Sequence, residues 1–158
     1  MQKITPFLWF DHQAEEAAKF YTSIFKNSKI DAVTRYGESG PGPKGSVMTV
    51  NFELDGQEFT ALNGGPVFKF NESVSFVVHC ENQHEVDELW EKLTSGGGQE
   101  VECGWVKDKY GLSWQIVPDV FIEMLKDQDA ARKDRVMKAM MTMKKLDIAG
   151  LEAAYHER

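Results

Sequence analysis

The residues best placed to do chemistry fall in one stretch, Cys103 to Pro118, which reads CGWVKDKYGLSWQIVP. It has the form strand, tight turn, strand. The turn runs over 108–111, where Gly111 can supply the positive φ that a hairpin needs. In the strand that follows, Leu112, Trp114 and Ile116 point to one face and Ser113, Gln115 and Val117 to the other. A primary amide between two large apolar residues on an inner strand is costly to bury without a partner. Gln115 is therefore a candidate ligand-facing residue, against the alternatives of a core amide with its own partners or an exposed face. Two acid–base pairings are conceivable, Asp108 with Tyr110 and Glu58 with His12. A hairpin Asp, however, commonly forms the turn itself, and an exposed Glu is usually solvated. Cys103 would act as a nucleophile only beside a basic partner, and a small buried thiol is the competing reading. The cysteines Cys80 and Cys103 and the histidines His12, His79, His84 and His156 have no zinc-site spacing.

The elements that must hold these residues follow from periodicity. Ile4–Phe10 is a short apolar run suited to a strand, and Ala14–Phe25 carries Ala17, Phe20, Tyr21 and Ile24 at helical spacing. Glu15 and Glu16 fall in that helix's first turn, where negative charge suits the dipole. Strands are expected at 30–36, 46–54 and 57–62, with a glycine- and proline-rich loop at 37–45 and a hairpin turn at Asp55-Gly56. The order then repeats: a strand at 73–80, a helix at 83–94 stopped by Gly96-Gly97-Gly98, a strand at 99–106, and the 108–111 hairpin. An offset of 69 pairs Phe7 with Phe76, Phe20 with Leu89 and Tyr21 with Trp90, and an offset of 55 pairs Gly56 with Gly111 and Thr60 with Gln115. The expected fold is α+β: two βαβββ modules, 1–65 and 66–118, forming a curved mixed-sheet cleft. C-terminal helices over 119–158 complete one structural domain. The methionines of this tail, Met137, Met140, Met141 and Met143, suit packing at a cleft end or a subunit interface.

Composition narrows the partners. The 158 residues are 42% hydrophobic and 27% charged, ordinary for a globular chain, and the net charge of −7 argues against a nucleic-acid groove or an anionic membrane. No apolar run approaches the roughly 20 residues needed to cross a bilayer. The N-terminus has no basic region leading into an apolar core, so a cytoplasmic protein with reduced thiols is expected.

The paired modules, Phe20-Tyr21 on the first helix, and an Asp-x-x-Gly hairpin followed four residues later by a polar side chain resemble the vicinal oxygen chelate superfamily of glyoxalases, bleomycin-resistance proteins and extradiol dioxygenases. Ile4-Thr5-Pro6-Phe7-Leu8, Leu62-Asn63-Gly64-Gly65-Pro66, Ser75-Phe76, Cys103-Gly104-Trp105, Ser113 to Pro118 and the tail Met143 to Ile148 resemble a narrower branch. That branch is PhnB-like, often labelled 3-demethylubiquinone-9 3-methyltransferase. The superfamily resemblance implies a divalent metal held from four strands, at the positions of Thr5, Thr60, Ser73 and Gln115. Of these only Gln115 has a ligand type usual there, and three hydroxyls with one amide make a poor cage. No cofactor is therefore expected, and a divalent metal is disfavoured. What remains is a cleft lined by Trp9, Phe59, Trp105, Tyr110 and Trp114, with Thr5, Thr60, Asn63, Ser73 and Gln115 as polar contacts. Such walls suit a small aromatic or amphipathic molecule, although any one of the aromatics would serve equally as core. The implied function is a small-molecule binding protein, with a vicinal oxygen chelate enzyme or the labelled methyltransferase as alternatives. The chain lacks the glycine-rich strand-to-helix turn that commonly holds a methyl-donor cofactor. The resemblance also implies a homodimer.

Overall fold

In the computed structural model, which describes residues 2–157, the chain divides into two compact units, Met1–Phe70 and Asn71–Arg158. The first unit runs β1 (Phe7–Phe10), α1 (Ala14–Ile24), β2 (Lys29–Arg35), β3 (Val47–Leu54) and β4 (Gln57–Asn63). Its sheet has the order β1-β4-β3-β2, with β1 and β4 parallel and the other neighbours antiparallel. The strand expected from Ile4 begins only at Phe7, since Pro6 has no N–H to give a ladder; its carbonyl still accepts from Thr60 N at 3.0 Å. Tyr21 of α1 stacks on Phe52, and Phe52 stacks on its cross-strand neighbour Phe59 with ring centroids 5.4 Å apart. Ala14, Ala17 and Ala18 let the helix lie close to the sheet, and Val50, Phe52, Phe59 and Ala61 are buried beneath it.

The second unit repeats that plan as β5 (Ser75–Cys80), α2 (Gln83–Thr94), β6 (Gln99–Glu100), β7 (Trp105–Lys107) and β8 (Ser113–Pro118). The sheet order is β5-β8-β7-β6, the same permutation as in the first unit, again with the outer pair β5 and β8 parallel. Asn82 caps α2 by accepting from Glu85 N at 2.9 Å, while the Glu85 carboxylate reaches back to Glu81 N at 3.0 Å. Val86, Leu89, Trp90 and Leu93 form its buried stripe. The sequence suggests one strand over 99–106, and the structure breaks it. Cys103 and Gly104 both take left-handed conformations, φ 62° and 85°, and the chain turns back so that β6 pairs antiparallel with β7. A Cβ on Gly104 would lie 3.1 Å from Leu146 and 3.3 Å from the Ile116 carbonyl, and at φ 85° a side chain there would be strained and would press on both neighbours.

Three helices finish the chain: α3 (Asp119–Leu125), α4 (Ala130–Met141) and α5 (Ile148–His156). They share a core of Phe121, Met124, Val136, Leu146 and Leu151, which also takes in Val117 from the end of β8. The segment between α4 and α5 is tied to the β6–β7 turn, where Cys103 N and Gly104 N donate to the carbonyls of Met143 and Lys144 at 2.8 and 2.7 Å. The tail thus belongs to the second unit and covers one end of its sheet. The architecture is α+β, with two open four-stranded mixed sheets and five helices among the described residues. Among the described residues no helix is long and apolar enough to cross a membrane.

Candidate functional site

Each sheet has one face under its helix and one face that the helix leaves open. In the second unit, Trp90 on α2 donates its indole N–H to Glu100 at 2.7 Å. Glu100 lies opposite Val106, and Val106 opposite Trp114, so α2 sits on the face of Val106, Trp114 and Ile116. Side-chain alternation sends the other set to the open face: Ser75, Val77, Trp105, Lys107, Ser113 and Gln115. Gln115 is at the centre, with Val77 across on β5 and Trp105 across on β7. Its amide donates to Ser75 Oγ at 2.9 Å and is half-buried. Beyond it, Val117 disappears under the C-terminal helices. On the other side Ser113 lies opposite both Ser75 and Lys107. Ser113 is fully buried, and its hydroxyl has no hydrogen-bond partner among the described residues. The Lys107 ammonium forms an ion pair with Glu72, which sits in the turn before β5. A hydrogen bond from that ammonium holds the Glu72 carboxyl below the usual carboxylate range.

The hairpin that presents this strand is built around one buried carboxylate. Asp108 Oδ1 accepts from Tyr110 N at 2.9 Å and Leu112 N at 3.1 Å, and Oδ2 accepts from the Trp114 indole N–H at 2.9 Å. Gly111 closes the turn at φ 90°, donating its N–H to the Asp108 carbonyl at 2.9 Å. Asp108 therefore orders the turn and anchors Trp114 beneath the sheet. Trp114 is 3% exposed and faces α2.

In the first unit the open face carries Phe7, Trp9, Thr49, Asn51, Thr60 and Leu62. Trp9 donates its indole N–H to the Gly65 carbonyl at 2.9 Å and meets the edge of Phe68 at 4.9 Å. Phe59 alternates to the helix side and is core. Asn63 is used structurally. Its Oδ1 accepts from Ala14 N at 2.8 Å, capping α1 where Gln13 makes no side-chain cap, and its Nδ2 donates to the Val47 carbonyl at 3.1 Å. Asn63 also borders a cavity of about 590 Å³ with Tyr36, Pro43, Asp11, Glu15 and Glu16, whose carboxylates make its rim acidic. Thr5 precedes β1. Ser73 precedes β5 in a turn where its N–H donates to Asn71 Oδ1 at 2.9 Å. Glu58 and His12 stand beyond opposite ends of the parallel β1–β4 pair and cannot act together.

The structure thus brings Gln115 and Trp105 together on one open face and places Trp9 and Thr60 on the other. Phe59 and Trp114 go to the two helix-covered cores, and the Tyr110 hydroxyl is buried in the hairpin. Sequence reasoning did not single out Val77, Lys107 or Glu72. The signal for Val77 and Lys107 was their alternation on neighbouring strands, readable only once the register is known. As donors for a metal, the neighbours of Gln115 and Thr60 are poor: Val77 stands beside the first and Phe7 beside the second. Among the described residues no three His, Cys, Asp or Glu side chains come together in a way that could hold a metal ion. The residues present do not fit a divalent cage.

The family described as 3-demethylubiquinone-9 3-methyltransferase matches residues 2–117. Among solved structures, a PhnB protein from Bacillus cereus under the same description is 40% identical, with TM-score 0.67, over 74% of this chain and 99% of that one. A Pseudomonas aeruginosa protein is 19% identical with TM-score 0.61, over 75% of this chain and 98% of that one. The fosfomycin resistance protein FosX from Listeria monocytogenes is 15% identical with TM-score 0.57, over 80% and 98% respectively. These last two show a shared fold. No curated protein sequence matches the chain at a significant level. The chain belongs to the 3-demethylubiquinone-9 3-methyltransferase family, and is PhnB-like.

Proposed function

We propose that this protein binds a small aromatic or amphipathic molecule on the open sheet face of its second unit, without a tightly bound catalytic metal. The observation that carries the reading is Gln115. It is a half-buried amide at the centre of the face that α2 leaves open, with one amide hydrogen used on Ser75, and with Val77 and Trp105 on either side. An apolar wall around a few convergent polar groups is the usual form of a small-molecule site. Val77 is 45% exposed, so the wall is accessible. The side chains directly across from Gln115, Val77 and Trp105, offer no carboxylate or imidazole donor, which supports binding without a metal. The reading includes a homodimer, for which exposed Phe7, Val67, Phe68 and Val74 offer apolar surface that a second copy would cover.

The test uses N-phenyl-1-naphthylamine, a neutral aromatic probe whose emission rises in apolar sites. Val77→Glu, which sets a charge beside Gln115, and Gln115→Ala should each weaken its binding. Met141→Glu, on the exposed tail surface, should not. Equal binding by all three variants would overturn the reading. The family description itself favours a second reading, an enzyme acting by methyl transfer or by metal-assisted chemistry. Turnover with S-adenosylmethionine, or metal-dependent turnover lost in Gln115→Ala, would establish that instead.

A further inference from the structure

Two donors stand side by side on the open face of the second unit with one acceptor for the pair. Lys107 and Ser113 are direct cross-strand neighbours pointing the same way, which puts their Cβ atoms about 5 Å apart. The ammonium has Glu72. The Ser113 hydroxyl has no partner among the described residues although Ser113 is fully buried. Lysine cannot help it, because an ammonium only donates. A buried hydroxyl without an acceptor costs free energy that folding does not recover. What would satisfy it is an oxygen acceptor placed next to the lysine.

The carboxylate now on Lys107 is weakly held. Lys107 sits on a strand inside the sheet and its side chain is 30% exposed, whereas Glu72 comes from a turn ahead of β5 and its side chain is 58% exposed. Exposed ion pairs of this kind contribute little, so an incoming anion displaces Glu72 and leaves Lys107 in place. The next row along the face is Val77, Gln115 and Trp105, with the amide between the two apolar surfaces. The face thus runs from a row with the cation and hydroxyl to a row with an amide flanked by apolar walls.

We infer that the ligand of this face is a small aromatic carboxylate, whose anionic group replaces Glu72 on Lys107 and accepts a hydrogen bond from the Ser113 hydroxyl while its ring lies against Val77 and Trp105. Lys107 is then the residue that selects for negative charge, and Glu72 is a built-in competitor for it. The inference rests on the reading that this open face takes the ligand.

The experiment is an amide-shift titration of the ¹⁵N-labelled full chain with benzoate, and in parallel with the neutral isostere benzamide. Benzoate should move the amides of Lys107, Ser113 and Gln115. Lys107→Met, which keeps the apolar stem, should weaken benzoate by about tenfold or more, the loss expected for a charge-assisted hydrogen bond. Benzamide affinity should stay within about twofold in the same variant, since no ion pair is lost. Glu72→Gln should tighten benzoate several-fold, and Ser113→Ala should weaken it. If benzoate and benzamide bind alike, or if benzoate binding ignores Lys107→Met and Glu72→Gln, the carboxylate inference falls while binding at the face stands. If neither compound moves Lys107, Ser113 or Gln115 at millimolar concentration, both fall.

Discussion

Asp108→Ala should destabilise the protein far more than an ordinary turn substitution, because the Asp108 carboxylate is the acceptor for three N–H groups. Two of those donors belong to residues that water cannot reach. Leu112 is 2% exposed and Trp114 3%, and Asp108 itself is 3% exposed. Removing the carboxylate strands the Leu112 amide and the Trp114 indole N–H, each a buried donor whose orphaning costs about 1–3 kcal/mol. With the Tyr110 bond also lost, the total expected for Asp108→Ala is about 3–5 kcal/mol. Asp108→Asn separates the contributions. An amide has one acceptor oxygen where the carboxylate has two, so either the turn or the indole keeps its partner and the other meets an NH₂. The cost should be intermediate, about 1–3 kcal/mol. Trp114→Phe completes a double-mutant cycle. In the wild type it removes packing and the indole bond, and in Asp108→Ala packing alone, so a coupling of about 1–2 kcal/mol is expected. Urea unfolding followed by far-UV circular dichroism reads the wild type, the three single variants and the double variant. A stable Asp108→Ala, within about 1 kcal/mol of wild type, or a cycle with no coupling, would refute the assignment of Asp108 to the hairpin. The same data bear on function: neutralising a general acid or base need not cost stability, whereas neutralising a buried structural carboxylate does.

Other expectations are smaller. Asp127 is held below its usual range chiefly by the Tyr155 hydroxyl, which donates to it at 2.6 Å, then by the Asp129 N–H, with Arg132 nearby. Its folded value lies below the unfolded value of about 3.9, so its stabilisation is complete above that pH and fades as pH falls through the folded value. The stability gap between wild type and Asp127→Asn should therefore narrow below about pH 4, which acid titration of circular dichroism can measure. The two thiols should differ sharply. Burial pushes Cys80 up to about 12, while Cys103 is partly exposed at the β6–β7 turn. Native protein at pH 8 should release one equivalent with Ellman's reagent, and Cys103→Ser should release none until denaturant is added.

Much of the fold could be read from local sequence. Helix α2 has its stripe, its Asn82 cap and its glycines all within the segment itself, and the expected and observed bounds agree at 83–94. The turns at Asp55-Gly56 and 108–111 are equally local. The late starts of β1 and β5 come from Pro6 and from the Asn71 turn, both visible in the sequence but outweighed by apolar character around them. The break within 99–106 depends on a left-handed Cys103, a conformation non-glycine residues seldom take, and on bonds to carbonyls 40 residues later. The site was legible in one respect. Alternation sets Gln115 and Trp114 on opposite faces, which already excludes Trp114 from the cleft expected to hold both. Which residues flank Gln115 depends on pairing with Val77 and Trp105, and the first of those contacts spans the whole of α2 and the hairpin. Composition and periodicity carry no information on such register.

The central claim is that the Gln115 face takes a small molecule without a bound metal, and native mass spectrometry of the full chain before and after excess Mn²⁺, Zn²⁺ or Ni²⁺ tests it most directly. The account predicts no metal retained at one per chain, and N-phenyl-1-naphthylamine binding that is unchanged by a chelator. One metal per chain, retained by the wild type and lost in Gln115→Ala, would contradict it.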